Sequence, residues 1–183
     1  MRLPGSLVAL ALALGACAAP RPFGEGVALH SMLYGGYRAV DDQTFEGHPA
    51  YGIDLVTRDP KTGWGYELGG SYGTEDAGGA REHSAEFEEY SLGLRRSWRA
   101  ESSARPYLGF GGSFAKIDHT LHSPHTEFEA EGGAGYVRGG VLWALGRYDI
   151  DRSTEILVGF DVRGMLGDDY DYGQLALVLA FGK

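Results

Sequence analysis

A single cysteine in 183 residues leaves nothing for an intramolecular disulfide to join, so the fold is held by packing and hydrogen bonds. Positive charge is also scarce. Sixteen lysines and arginines face 25 aspartates and glutamates, a formal charge of -9, and no stretch concentrates the basic residues that a phosphate backbone requires. Nucleic acid is thereby excluded as a partner. No amphipathic helix can be traced, and the one continuous apolar stretch, near the N-terminus, is too short to cross a bilayer as a helix. Glycine is abundant instead, at 30 residues, beside 12% aromatics and 43% hydrophobic residues. That balance suits a single β-rich domain.

The first residues read as an address. Arg2 supplies a positive start, Leu7 to Leu14 a short apolar core, and small residues follow, as in a secretory signal. Leu14-Gly15-Ala16-Cys17 resembles the lipobox of bacterial lipoproteins. That resemblance implies a signal over 1–16 and a lipidated Cys17 as first mature residue, with Ala18 after it in keeping with sorting to the outer membrane. Cleavage after Ala18 is the alternative, since Ala16-Cys17-Ala18 also places small residues around the bond. Residues 17–24, with Pro20 and Pro22, form a tether, and 25–183 the folded domain.

Within that domain a period of two recurs, and it predicts strands with two unlike faces. From Thr154 to Leu166 the apolar row is Ile156, Val158, Phe160, Val162 and Leu166, while Glu155, Asp161 and Arg163 share the opposite face. Asp161 and Arg163 are expected to pair there, because unpaired charges would be costly to enclose. The same alternation sets Tyr51, Ile53 and Leu55 against Asp54, and Trp64, Tyr66, Leu68 and Tyr72 against Glu67. Tyr90, Leu92, Leu94 and Trp98 oppose Glu89 and Arg95; Leu108, Phe110 and Phe114 oppose Tyr107 and Ser113; Val137, Val141, Trp143 and Leu145 oppose Tyr136 and Arg138. A weaker strand around Leu29 and Leu33 and a final one through Leu175, Leu177, Leu179 and Phe181 bring the number to about eight.

The connections differ in length. Asp59 to Gly63, Arg99 to Arg105 and Gly146 to Ser153 are compact, whereas Ala39 to His48, Gly73 to Ala85 and Asp118 to Glu131 are longer, polar and expected to be loops; Gly167 to Tyr172 is a short exception. Tight turns at one end and long loops at the other resemble the small eight-stranded bacterial outer-membrane barrels, and the resemblance covers the whole mature chain. It implies an all-β, antiparallel up-and-down transmembrane β-barrel in contact with outer-membrane lipid and lipopolysaccharide, a monomer whose N-terminus faces the periplasm. Trp64 and Tyr72 close one apolar row and Tyr90 and Trp98 the next. At about 3.3 Å per residue and roughly 40° tilt, eight residues span on the order of 20 Å, close to the height of a membrane band. With Trp143, these residues form an expected aromatic girdle. Arg96 is the awkward residue on that face, within reach of head groups.

Alternation alone does not say which face is inside. A lipocalin-like, lipid-anchored soluble barrel would turn the apolar rows inward around an apolar ligand. Against it, the chain has no Gly-x-Trp near its first strand and no helix after its last, and the polar face is rich in glycines that make room for long charged side chains. Facing inward, Asp54, Glu67, Glu89, Arg95, Arg138, Glu155, Asp161 and Arg163 would form a paired network filling the barrel and leaving no open pore.

Signs of catalysis are weak. Gly69-Gly70-Ser71-Tyr72-Gly73 has the letters of a nucleophile elbow but lies in a strand rather than on a strand-to-helix turn. The dipeptides His30-Ser31, His83-Ser84 and His122-Ser123 lack the His-x-Ser spacing of lipid A-modifying barrel enzymes, so an outer-membrane lipid-modifying enzyme is only a second alternative. No cofactor is expected, with one reservation. His119, His122 and His125, beside Asp118, Glu127 and Glu129, are candidate ligands for a divalent transition metal if the segment is a free loop. Asp168, Asp169 and Asp171 suggest a weaker cation or lipopolysaccharide-bridging site. The expected role is that of a structural or surface-interaction barrel.

Overall fold

The computed structural model describes residues 27–40, 47–77, 83–99, 102–122, 125–148, 154–167 and 171–182. Eight strands follow one another: β1 (Ala28–Val40), β2 (His48–Arg58), β3 (Trp64–Ala77), β4 (His83–Ser97), β5 (Ala104–His122), β6 (His125–Tyr148), β7 (Thr154–Gly167) and β8 (Tyr172–Gly182). Each pairs antiparallel with the next, and β1 pairs with β8, so the sheet closes into a barrel in simple sequence order. Closure pairs the outermost strands of the sheet with each other, so the ring itself has no edge. The predicted signal, Cys17 and the tether lie outside the described residues.

The apolar rows face outward. Leu92 and Leu177 are 63% and 64% exposed, whereas Asp54 and Arg138, on the opposite faces of their strands, are 1% and 2% exposed. This arrangement is the reverse of a lipocalin-like barrel, whose apolar rows would line the interior. Trp64, Trp98 and Trp143 mark the rim at the tight-turn end, with Arg96 resting over Trp64 and Trp98 at 5.6 and 5.4 Å from the ring centres. Toward the other end, Tyr51 packs on Tyr72 at 5.5 Å, and Tyr90 stands opposite Phe114 across β4 and β5. The turn after β2 is set by Asp59, whose carboxylate accepts from the Lys61 amide and the Thr62 hydroxyl, both at 2.9 Å; Gly63 closes it at φ 75°.

Two segments expected to be loops are largely strand. β3 and β4 remain paired to Ala77 and His83, and β5 and β6 to His122 and His125, so every described residue of 73–85 and 118–131 lies in a paired strand. The physical reason is that beyond the apolar belt the outward face meets water and carries charge, as at Glu86 and Asp118, while a few inward residues, Ala85, Phe87 and Ile117, are buried. The sense of the alternation then reverses, apolar inward and charged outward, while the backbone ladder continues.

Candidate functional site: a braced lumen and a projecting sheet

Inward positions of neighbouring strands differ in size, and this decides how the lumen fills. Tyr34 stands opposite Gly52, Tyr107 opposite Gly140, and Tyr136 opposite Gly111, so each ring lies across a neighbour that has no side chain. A Cβ at Gly52 would lie 2.5 Å from the Tyr34 hydroxyl, and one at Gly93 would lie 2.2 Å from that of Tyr136. Asp54 likewise occupies the space over Gly69.

Two charge clusters are stacked in this space. In the one nearer the tryptophans, Arg138 donates to Asp54 at 2.5 Å and to Asp161 at 3.0 Å, and lies 3.9 Å from Glu67. Tyr107 donates to Asp161 at 2.5 Å and Tyr136 to Glu67 at 2.6 Å; Arg95 lies 3.9 Å from Glu67 and covers the Tyr107 ring at 3.3 Å. In the other cluster Glu89 is the hub. It pairs with Arg38 at 3.1 Å and Arg163 at 2.6 Å, and accepts from Tyr172 at 2.5 Å and Ser71 at 3.3 Å. Gln174 accepts from Arg38 at 3.1 Å. Four arginines (Arg38, Arg95, Arg138, Arg163) thus balance four carboxylates (Asp54, Glu67, Glu89, Asp161), all buried. Glu155 stands apart from both clusters and takes a two-pronged contact from Arg105 at 2.5 and 3.2 Å.

Asp161 and Arg163 do not pair with each other, contrary to the expectation from β7 alone. Successive inward residues of one strand are roughly 7 Å apart, while neighbouring walls bring complementary groups closer. Arg38 and Arg105 were not singled out from the sequence because β1 and β5 extend beyond the stretches whose alternation was clear. His48, buried and stacked on Phe87 at 4.0 Å with Glu75 4.0 Å away, was missed for the same reason.

Past the tyrosine rim, β3, β4, β5 and β6 continue as a projecting sheet. Its outward side places Glu88 opposite Lys116 and Lys116 opposite Glu131; in the next row Glu86 faces Asp118 and Asp118 faces Glu129. Five carboxylates against one ammonium make a net of -4. Lys116 is held between Glu129 at 2.7 Å and Asp118 at 3.1 Å, and their hydrogen bonds, Glu129 first, raise its pKa above the ordinary lysine value. His119 lies on β5; the side chains of His122 and His125 and the acids Asp168 and Asp169 lie outside the described residues. Asp171 accepts a hydrogen bond from the Gly167 amide at 3.0 Å. Among the described residues no three His, Cys, Asp or Glu side chains are grouped to hold a metal ion. His30 and Ser31 are adjacent in β1 and therefore face opposite sides of the sheet.

No protein-family model matches the chain, and no curated protein matches it. Solved structures do. The attachment invasion locus protein Ail of Yersinia pestis superposes with a TM-score of 0.60 at 12% identity, over 87% of this chain and all of that one. A major outer membrane protein of Thermus thermophilus gives 0.58 at 12% identity, over 85% and 99% of the two chains. The N-terminal barrel of Pseudomonas aeruginosa OprF gives 0.53 at 14%, over 85% and 97%. At these identities the likeness is one of fold: a closed eight-stranded antiparallel barrel of the kind built by small outer-membrane proteins.

Proposed function

We propose that this chain spans the bacterial outer membrane as a plugged barrel and serves a structural or surface-interaction role rather than transport or catalysis. The observation that carries the reading is the continuation of β3–β6, as paired strands, beyond an apolar belt bounded by aromatic residues. A channel would need an open lumen, and this one is filled by braced arginines, carboxylates and tyrosines. By the general asymmetry of such barrels the tight turns face the periplasm and the projecting sheet faces outward. Outer-membrane lipid surrounds the belt, with lipopolysaccharide head groups beside the base of the sheet. Ail has been crystallised with the heparin analogue sucrose octasulfate, a polyanion. The outward face of this sheet, with a net of -4, is of the wrong sign for such a ligand.

A lipid on Cys17 would add a second attachment on the periplasmic side, supported by the lipobox-like Leu14–Cys17. Mass spectrometry of the mature chain should find an acylated N-terminal cysteine; a chain starting at Ala19 would remove the anchor from the reading.

The orientation is tested with single cysteines in a Cys17→Ser background. Glu131→Cys on the sheet should react with a membrane-impermeant maleimide on intact cells, and Lys61→Cys in the turn after β2 only after the outer membrane is opened. The unboiled protein should also migrate differently from the boiled one on a gel. Reversed labelling would place the sheet in the periplasm, and a protein that stays folded without detergent would sink the membrane reading.

A further inference from the structure

The ring closes only as far as the tyrosine rim. Pairing of β6 with β7 begins at Ala134 opposite Gly167, whereas pairing of β6 with β5 runs on to His122 opposite His125. From His125 to Gly133, nine residues of β6 therefore have a strand on one side and, among the described residues, none on the other. Edge strands present amide and carbonyl groups away from their single partner, which is a template for one more strand. Gly132 and Gly133 leave the base of this edge without side chains.

The sequence of the edge says what kind of strand fits. Glu127, Glu129 and Glu131 recur at every second position, and Glu129 and Glu131 are exposed. A second copy of the chain would bring glutamate against glutamate, and like charges directly opposite on paired strands are destabilising. A segment with cations at alternate positions would meet a carboxylate at each step. Lys116 of β5 already displays such a contact from the paired side: its ammonium sits between Asp118 of its own strand and Glu129 of β6.

Resting on the outward orientation given above, we propose that the β6 edge from His125 to Gly133 is a docking site for an extended basic polypeptide segment. The segment adds as a further strand to the projecting sheet, with lysine or arginine at alternate residues facing Glu129 and Glu131. Backbone pairing supplies the binding mode and the acidic row selects the partner.

The test uses the folded protein in nanodiscs of zwitterionic lipid and a fluorescent nine-residue peptide of alternating threonine and lysine. Its controls are an alternating threonine and glutamate peptide and the basic peptide with every amide N-methylated. The basic peptide should bind at least about tenfold more tightly than either control. A Glu129→Lys/Glu131→Lys protein should reverse the preference toward the acidic peptide, and infrared bands of a carbonyl-labelled basic peptide should show strand pairing on binding. Equal binding of the N-methylated peptide would mean charge attraction without strand addition, and would overturn the proposal. So would equal binding of the acidic peptide, or no binding by protein whose heat-modifiable migration and outside labelling at position 131 are intact; in those cases the barrel reading survives. Failure of those two controls would instead sink the barrel reading, and the proposal with it.

Discussion

Arg138 and Asp54 stand on β6 and β2, four strands apart in a ring of eight, and meet across the lumen at 2.5 Å. Glu89 of β4 and Tyr172 of β8 are joined the same way, at 2.5 Å. Opposite walls are thus tied to each other as well as to their neighbours, and the barrel's cross-section is fixed by side chains. A buried ion pair adds little when both partners are replaced by apolar groups, but a lone survivor is costly. Arg138→Leu strands Asp54 and Asp161 together and should destabilise the barrel by roughly 3–5 kcal/mol. The Arg138→Leu/Asp54→Leu double change should be milder than the sum of its parts. Urea unfolding in detergent micelles measures both, and strictly additive losses would contradict the cross-brace.

The Tyr136 hydroxyl passes over Gly93 on its way to Glu67. Gly93→Ala places a methyl group in its path, and because the obstructing atom ends a rigid ring, relief requires the ring to move. Overpacking of this sort costs on the order of 1–3 kcal/mol. The cost should shrink in a Tyr136→Ala background, where the ring is gone. A Cβ at Gly93 would also lie 2.5 Å from the Phe110 carbonyl oxygen of β5, so part of the cost should remain, and an undiminished penalty would show that this backbone contact rather than the ring sets it.

With four arginines and four carboxylates locked in the lumen, no continuous aqueous path is expected. Planar-bilayer recordings of the purified protein should show no steady conductance at neutral pH. Stepwise openings in the wild type would refute the plugged barrel, whatever their size.

Asp59 is the clearest pH-sensitive group outside the belt. Hydrogen bonds from the Lys61 amide, first in effect, and from the Thr62 hydroxyl hold its pKa below the usual aspartate value. A group whose folded pKa is depressed stabilises the fold above its unfolded pKa, roughly 4, and loses that contribution as pH falls through the folded value. Unfolding midpoints from pH 5 to pH 2 should therefore converge for wild type and Asp59→Ala at the acid end and separate above it. A constant gap across the range would mean that the carboxylate charge plays no part in the turn.

Strand identity was legible wherever one face meets an apolar medium and the other does not. Leu92 against Glu89, or Val162 against Asp161, shows the difference residue by residue, although which face lies inside had to be argued from the glycines of the polar face. Legibility fails where that contrast ends. On the projecting sheet the outward row is charged, at Glu86, Asp118 and Glu129, and the inward apolar row is short, at Phe87 and Ile117, so its strands look like loop. It fails again for partners within the lumen. Which arginine reaches which acid depends on strand tilt and closure, which no single strand encodes, so Arg38 was passed over although Glu89, its partner, was plain.

The pairing of Arg163 follows from this and can be measured. On β7 it stands two residues from Asp161 but opposite Arg138 of β6, a like charge, and its ion pair is made with Glu89 of β4. Asp161 is held instead by Arg138 and the Tyr107 hydroxyl. In double-mutant cycles built from leucine at position 163, glutamine at 89 and asparagine at 161, the coupling of Arg163 to Glu89 should exceed its coupling to Asp161. Contacting residues of this kind couple by about 0.5–3 kcal/mol, and residues without a shared contact by less. Arg163→Leu should also loosen Tyr172 and Arg38 through their common carboxylate, which a change at Asp161 would not do. A larger coupling along β7 than across to β4 would restore the same-strand pair and remove Glu89 from the centre of its cluster.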